Sequence, residues 1–315
     1  MANFLIPVDE FFMSKQNPFL IEHLRCPFHT DAFLLKQTET SDSNAQFQCS
    51  TCGRMFCLSE DIFEMFSADD YPELAEFLKV EEQQWDACAT EYDTRREKCL
   101  SYMNGVYAGV SRIGSMIQTN QTVLDVGCGT GLGTRQMHRE GLQTVAMDIS
   151  RQSLGFLKQK ISIPGLSLVQ ACLPRIPFRD DCFDYLICAN TLQHLPSEQL
   201  RQETVCHIAR VLKPNGTAVI TVYNFSPQIK RLGWKKEGES GSYSGKVQYI
   251  FRFEIEEFKK LLKPYFSKIT ITGSGFPLIY QWKLSPISVF FERAVFQKLQ
   301  CCVNWGDMYV AVCKK

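Results

Sequence analysis

The stretch "QTVLDVGCGTGLGTRQMHREGLQTVAMDIS", residues Gln121–Ser150, limits the possible folds more than any other. Val123-Leu124-Asp125-Val126 reads as a short apolar strand, Gly127-Cys128-Gly129-Thr130-Gly131 as a turn, and Leu132 as the start of a helix. Glycines permit a sharp strand-to-helix turn and let a ligand approach bare backbone. A second strand, "TVAMD", ends in Asp148, seventeen residues beyond Gly131, where a carboxylate can accept from both hydroxyls of a ribose. The unit predicts a doubly wound α/β fold. Its glycines are spaced Gly-x-Gly-x-Gly rather than Gly-x-Gly-x-x-Gly, which argues against a dinucleotide-dependent oxidoreductase.

Two later segments, "VQACLPRIPFRDDCFDYLICANTLQHL" and "ARVLKPNGTAVITVYN", join this turn in a set that closely resembles the class I S-adenosylmethionine-dependent methyltransferases, over roughly residues 80–315. The resemblance implies a Rossmann-like seven-stranded sheet. Its strands are expected near Thr122–Val126, Thr144–Asp148, Ser167–Gln170, Phe183–Ala189, Thr217–Val222, Ile269–Thr272 and Met308–Cys313, the last antiparallel. It implies S-adenosylmethionine as cofactor, with Asp125, Gly127, Cys128, Gly129 and Gly131 at the methionine end. Asp148 would hold the ribose, Ile149 would face the adenine, and Asn190 would lie beside the cofactor. Cys172 stands where the family usually has Asp; a thiol is a weak acceptor, so backbone groups of Cys172 and Leu173 are expected to serve the adenine. Upstream, "EEQQWDACATEYDTRRE" matches the helix that covers the cofactor in many such enzymes. Trp85, Ala89 and Tyr92 share one of its faces, and Tyr92 is a candidate contact.

Methyl transfer requires an aligned acceptor and, for a protonated one, a base. His194, just past the fourth strand, and Tyr223, ending the fifth, are the candidate bases.

"CPFHTDAFLLKQTETSDSNAQFQCSTCGRMF" opens on a Cys-x-x-His pair and closes with a Cys-x-x-Cys pair. Cys26, His29, Cys49 and Cys52 make two knuckles joined by a hairpin, the spacing of a zinc ribbon with a closed structural site. Around them, "LRCPFH" and "FQCSTCGRMFCLSEDIFEMF" resemble the small zinc-ribbon family of methyltransferase activators, with Cys57 in place of that family's Pro and Asp61 in place of its Gly. Residues 1–70 are therefore expected to form an N-terminal zinc-ribbon module and 71–315 the methyltransferase domain. Within the latter, 71–118 should be a helical cover and 225–250 a substrate-lid insertion.

Thirty-four basic residues balance thirty-four acidic ones, so no global positive field favours nucleic acid. Residues 1–66 hold four Lys/Arg against nine Asp/Glu, which makes the ribbon a poor reader of phosphates. The acceptor is accordingly expected to be a small molecule, methylated at O or N. An RNA base is the alternative, because ribosomal-RNA guanine methyltransferases also carry an N-terminal zinc ribbon. No signal peptide or membrane span is read, and the fourteen cysteines suit a reducing, cytoplasmic setting. A homo-oligomer is compatible with the sequence.

Overall fold

The seven expected strands lie side by side in one sheet. The computed structural model describes residues 18–41, 44–97, 100–161, 164–243, 246–275 and 300–315. Four strands come first: β1 (Leu34–Ser41), β2 (Asn44–Cys49), β3 (Met55–Ser59) and β4 (Ile62–Glu64). The later ones are β5 (Thr122–Val126), β6 (Gln143–Asp148), β7 (Leu166–Gln170), β8 (Phe183–Ala189) and β9 (Leu212–Tyr223). A separate hairpin, β10 (Glu237–Tyr243) and β11 (Lys246–Phe251), precedes β12 (Lys268–Ser274) and β13 (Met308–Lys314).

The main sheet has the order β1-β2-β3-β4-β7-β6-β5-β8-β9-β13-β12. Strands β7, β6, β5, β8 and β9 are parallel, whereas β13 runs antiparallel to both β9 and β12, as expected. All five residues of β5 are buried, the pattern of a central strand covered on both faces. Strand β9 begins earlier than the expected Thr217. It takes in the Lys-Pro-Asn-Gly segment, whose Asn215 has φ +64°.

The cysteine-bearing hairpins extend the same sheet. Strand β4 pairs in parallel with β7, matching Ile62 to Leu168, Phe63 to Val169 and Glu64 to Gln170. The β3–β4 turn places Glu60 at φ +52° and Asp61 at φ +61°, a two-residue hairpin turn of the primed kind. Asp substitutes there for glycine because its short polar side chain tolerates the left-handed region. Lys158 donates to Asp61 Oδ2 (2.8 Å), and Arg151 donates to Glu64 Oε1 (2.8 Å) and Glu60 Oε2 (3.2 Å). These half-exposed pairs align the seam more than they stabilise it.

Two helices, Ala75–Glu97 and Leu100–Gly114, precede β5. On the sheet's flanks, helix Arg151–Lys160 is N-capped by Ser150, whose Oγ accepts from Ser153 N (3.0 Å). Helix Glu198–Val211 is capped in the same way by Ser197. The 225–250 insertion is a short helix, Pro227–Arg231, followed by the β10–β11 hairpin; its residues 244 and 245 lie outside the described set. No helix among the described residues is long and apolar enough to cross a membrane.

Candidate functional site

A cleft of about 1100 Å³, counting its open mouth, lies over the C-terminal ends of β5 to β8. Ligands bind at this edge in open α/β sheets, and the volume accommodates a drug-sized molecule. Tyr92, Asp125, Gly127, Cys128, Gly129, Asp148, Ile149, Cys172, Leu173, Asn190 and His194 all line it. Gly131 and Tyr223 are not among the lining residues.

The glycines divide the work of the turn. Gly127 has φ +69°, and a Cβ there would collide with Thr191. Gly131 has φ +84°, and a Cβ there would collide with Leu157, so it seats the turn on helix Arg151–Lys160 rather than facing a ligand. Gly129, at φ +53°, has open space where a Cβ would project, which leaves its backbone accessible to a ligand.

The two acidic strand ends are tied to this turn. Asp148 Oδ2 accepts from Gly129 N (2.7 Å) and Oδ1 from Ser150 N (2.9 Å). Burial pushes the Asp148 carboxyl up to about 6, against the pull of those N–H bonds. Asp125 accepts from Thr134 Oγ1 (2.6 Å), and burial also pushes it up to about 6. A carboxylate oxygen offers two acceptor positions, so Asp148 can still take ribose hydroxyls. Thr134 was beyond sequence reading: it stands on the helix after the turn and looks like an ordinary helical residue.

Just past β7, Cys172 is buried and its thiol is pushed up to about 12 by burial. Its partner is the Tyr71 side chain, which also packs on Phe28 with ring centroids 5.0 Å apart. Tyr71 precedes the cover helix and carried no motif.

Asn190 sits at φ +56° with Oδ1 accepting from Thr221 Oγ1 (3.1 Å), while its buried Nδ2 has no partner among the described residues. An orphan donor inside a cleft is what a polar ligand would satisfy. The open backbone at Gly129, the acidic end of β6 and this orphan donor fit S-adenosylmethionine.

His194 Nδ1 is 3.0 Å from the carbonyl oxygen of Tyr249. A carbonyl only accepts, so Nδ1 carries the proton and Nε2 is the basic nitrogen of the ring. The ring meets Trp85 edge to face, with centroids 5.3 Å apart. Tyr223 instead packs with the helix-side core and lies 5.9 Å beneath the Arg252 guanidinium.

Cys26, His29, Cys49 and Cys52 come together, with all four ligand atoms within 4.8 Å of one another. Cys26 Sγ is 3.9 Å from Cys52 Sγ and 3.8 Å from His29 Nδ1. The edge of a tetrahedron with Zn–S bonds of about 2.3 Å is about 3.8 Å, so the cluster could hold a metal of that size. Gly53 follows at φ +73°, as the knuckle requires.

A methyltransferase-domain family model matches residues 124–220. Over 243 residues the chain is 25% identical to an uncharacterised chloroplastic methyltransferase of Arabidopsis thaliana, covering 70% of this chain and 66% of that one. Over 120 residues it is 31% identical to phosphoethanolamine N-methyltransferase 2 of Caenorhabditis elegans, covering 36% and 26%. Its fold is similar to a solved chain from the complex between the Haloferax volcanii Trm112 methyltransferase activator and the putative methyltransferase. There the TM-score is 0.52, the identity 18%, and the coverage 74% of this chain and 96% of that one. The chain thus spans less than two thirds of the length of these curated relatives. The matched residues run from β5 into β9, the strands whose ends form the cleft, and over them this chain carries a methyltransferase domain.

Proposed function

We propose that the protein transfers a methyl group from S-adenosylmethionine to an oxygen or nitrogen of a small-molecule acceptor, and that the Cys/His cluster holds a structural zinc. The observation that carries the choice of acceptor is the cleft lining, which among the described residues contains no Lys or Arg. Nucleic-acid sites neutralise phosphates with such cations. Two basic residues of the insertion are engaged elsewhere: Lys230 with Glu254 (2.8 Å) and Lys236 with Glu257 (3.2 Å). The phosphoethanolamine methyltransferase relative supports a small acceptor.

When bound, S-adenosylmethionine supplies an activated methyl group on a sulfonium. Asp148 and the turn at Gly127–Gly129 orient it, and the helix Ala75–Glu97 roofs the cleft against water through Trp85, Ala89 and Tyr92. His194 Nε2 takes the proton an acceptor hydroxyl or ammonium releases, and the Tyr249 carbonyl stabilises the imidazolium through Nδ1–H. Tyr223, the other candidate base, lies outside the cleft lining.

Methyl-labelled S-adenosylmethionine is expected to label a low-molecular-weight extract and not bulk RNA. RNA binding should be weak and nearly flat in salt; tight binding that falls steeply with salt would move the acceptor to RNA.

Cofactor affinity should also depend on pH. The Asp148 carboxyl is raised to about 6, and its charged form is the better acceptor for ribose hydroxyls. Affinity for S-adenosylhomocysteine is therefore expected to strengthen as pH rises from 5 to 7. A flat profile by calorimetry would remove Asp148 from the site.

A further inference from the structure

Glu81 is a buried carboxylate with no role in the chemistry above. It lines the cleft and is 8% exposed. The hydrogen bond it accepts comes from Trp85 Nε1 at 3.0 Å, which fixes one carboxylate oxygen and leaves the other to a ligand. Burial pushes its carboxyl up to about 7, with the Trp85 bond opposing.

Its position on the helix separates it from the cofactor. Glu82 Oε1 accepts from Gln170 Nε2 (2.9 Å), which also donates to Ile149 O (3.0 Å), and Asp86 accepts from Ser150 Oγ (2.6 Å). That side of the helix therefore faces the adenosine end. Glu81 and Trp85 lie about 100° round the helix from those residues, on the side where Trp85 meets His194. Tyr92, near the methionine end, is eleven residues further on, about 16 Å along the axis.

The charge balance points the same way. Glu81, Asp125 and Asp148 line a cleft without Lys or Arg among the described residues. S-adenosylmethionine carries a sulfonium, an ammonium and a carboxylate, so it brings a single net positive charge to three carboxyls. A carboxylate buried without a cation is costly, and a cationic ligand relieves that cost.

We infer that the acceptor presents a cationic, protonated nitrogen to Glu81, making Glu81 the specificity-determining residue of the acceptor side. Trp85 is then a positioning residue that holds the carboxylate through Nε1. The inference rests on the methyl-transfer reading of the same cleft.

The test uses two probes of equal shape, benzylamine and benzyl alcohol, titrated calorimetrically into the full chain saturated with S-adenosylhomocysteine. At pH 8 the cationic amine is expected to bind at least about tenfold more tightly than the alcohol. That preference should shrink towards pH 6 as Glu81 takes up its proton, since benzylamine stays charged throughout. In Glu81→Gln, which keeps an acceptor for Trp85, the preference should vanish while S-adenosylhomocysteine affinity holds. Trp85→Phe should reduce it partially. Equal binding of the two probes to the unaltered protein, or a preference retained in Glu81→Gln, overturns the inference. A Glu81→Gln chain that loses affinity for S-adenosylhomocysteine assigns the carboxylate to the cofactor and overturns it as well. Failure of the unaltered chain to bind S-adenosylhomocysteine would instead remove the methyl-transfer reading itself, and this inference with it.

Discussion

Asp148→Ala is expected to weaken S-adenosylhomocysteine binding roughly 10- to 150-fold, the equivalent of losing charged hydrogen bonds worth about 1.5–3 kcal/mol. The carboxylate has two roles here. It accepts from Gly129 N and Ser150 N, holding the turn against the end of β6, and under the proposed reading its remaining lone pairs would take the ribose hydroxyls. Removing it therefore loosens the cradle as well as deleting a ligand contact. Asp148→Asn preserves the shape but sets an amide N–H towards one of two N–H donors, so it should also lose affinity. Calorimetry on both variants checks this, and unchanged affinity in Asp148→Ala would refute the assignment.

Loss of the metal should have the largest effect on stability. One zinc per chain is expected by elemental analysis, and Cys49→Ser should abolish it. Structural zinc contributes on the order of 10 kcal/mol in isolated zinc-finger peptides. Here Cys49 is 2% exposed and ends β2 in the hairpins that lead to β4, so an open cluster would unfasten one end of the sheet. Chelation or Cys49→Ser should lower the melting temperature markedly and admit proteases between β1 and β4. Metal-replete protein that contains no zinc, or a melting temperature indifferent to a chelator, would count against a structural zinc.

The seven core strands were legible because each is an apolar run bounded by turn residues, and their ranges follow the expected ones closely apart from the early start of β9. The cysteine cluster was legible from spacing alone, since two-residue knuckles carry their geometry with them. The pairing of β4 with β7 was not, because Ile62–Glu64 is only three residues long and nothing in a chain's local pattern names a partner a hundred residues away. Glu81 escaped for a related reason. A glutamate inside a helical segment reads as solvated surface, and only packing shows that Trp85 holds it inside a cleft. For Tyr223, ending a strand at the right edge did not decide which face its side chain takes; the ring is half-buried against the cluster that includes Val106 and Val110.

The parallel pairing of β4 with β7 bears on how this protein responds to dilution. An unprotected β7 would present a row of unpaired backbone groups, a template for adventitious strand pairing. Were the covering hairpins a separate polypeptide, the occupancy of that edge would follow the partner's abundance and dissociation constant. In one chain the cover arrives by an intramolecular step, at an effective concentration that short tethers place in the millimolar range. The β7 edge of the sheet thus stays paired at any protein concentration, and cutting the chain between the hairpins and helix Ala75–Glu97 would make that pairing depend on how much of each fragment is present.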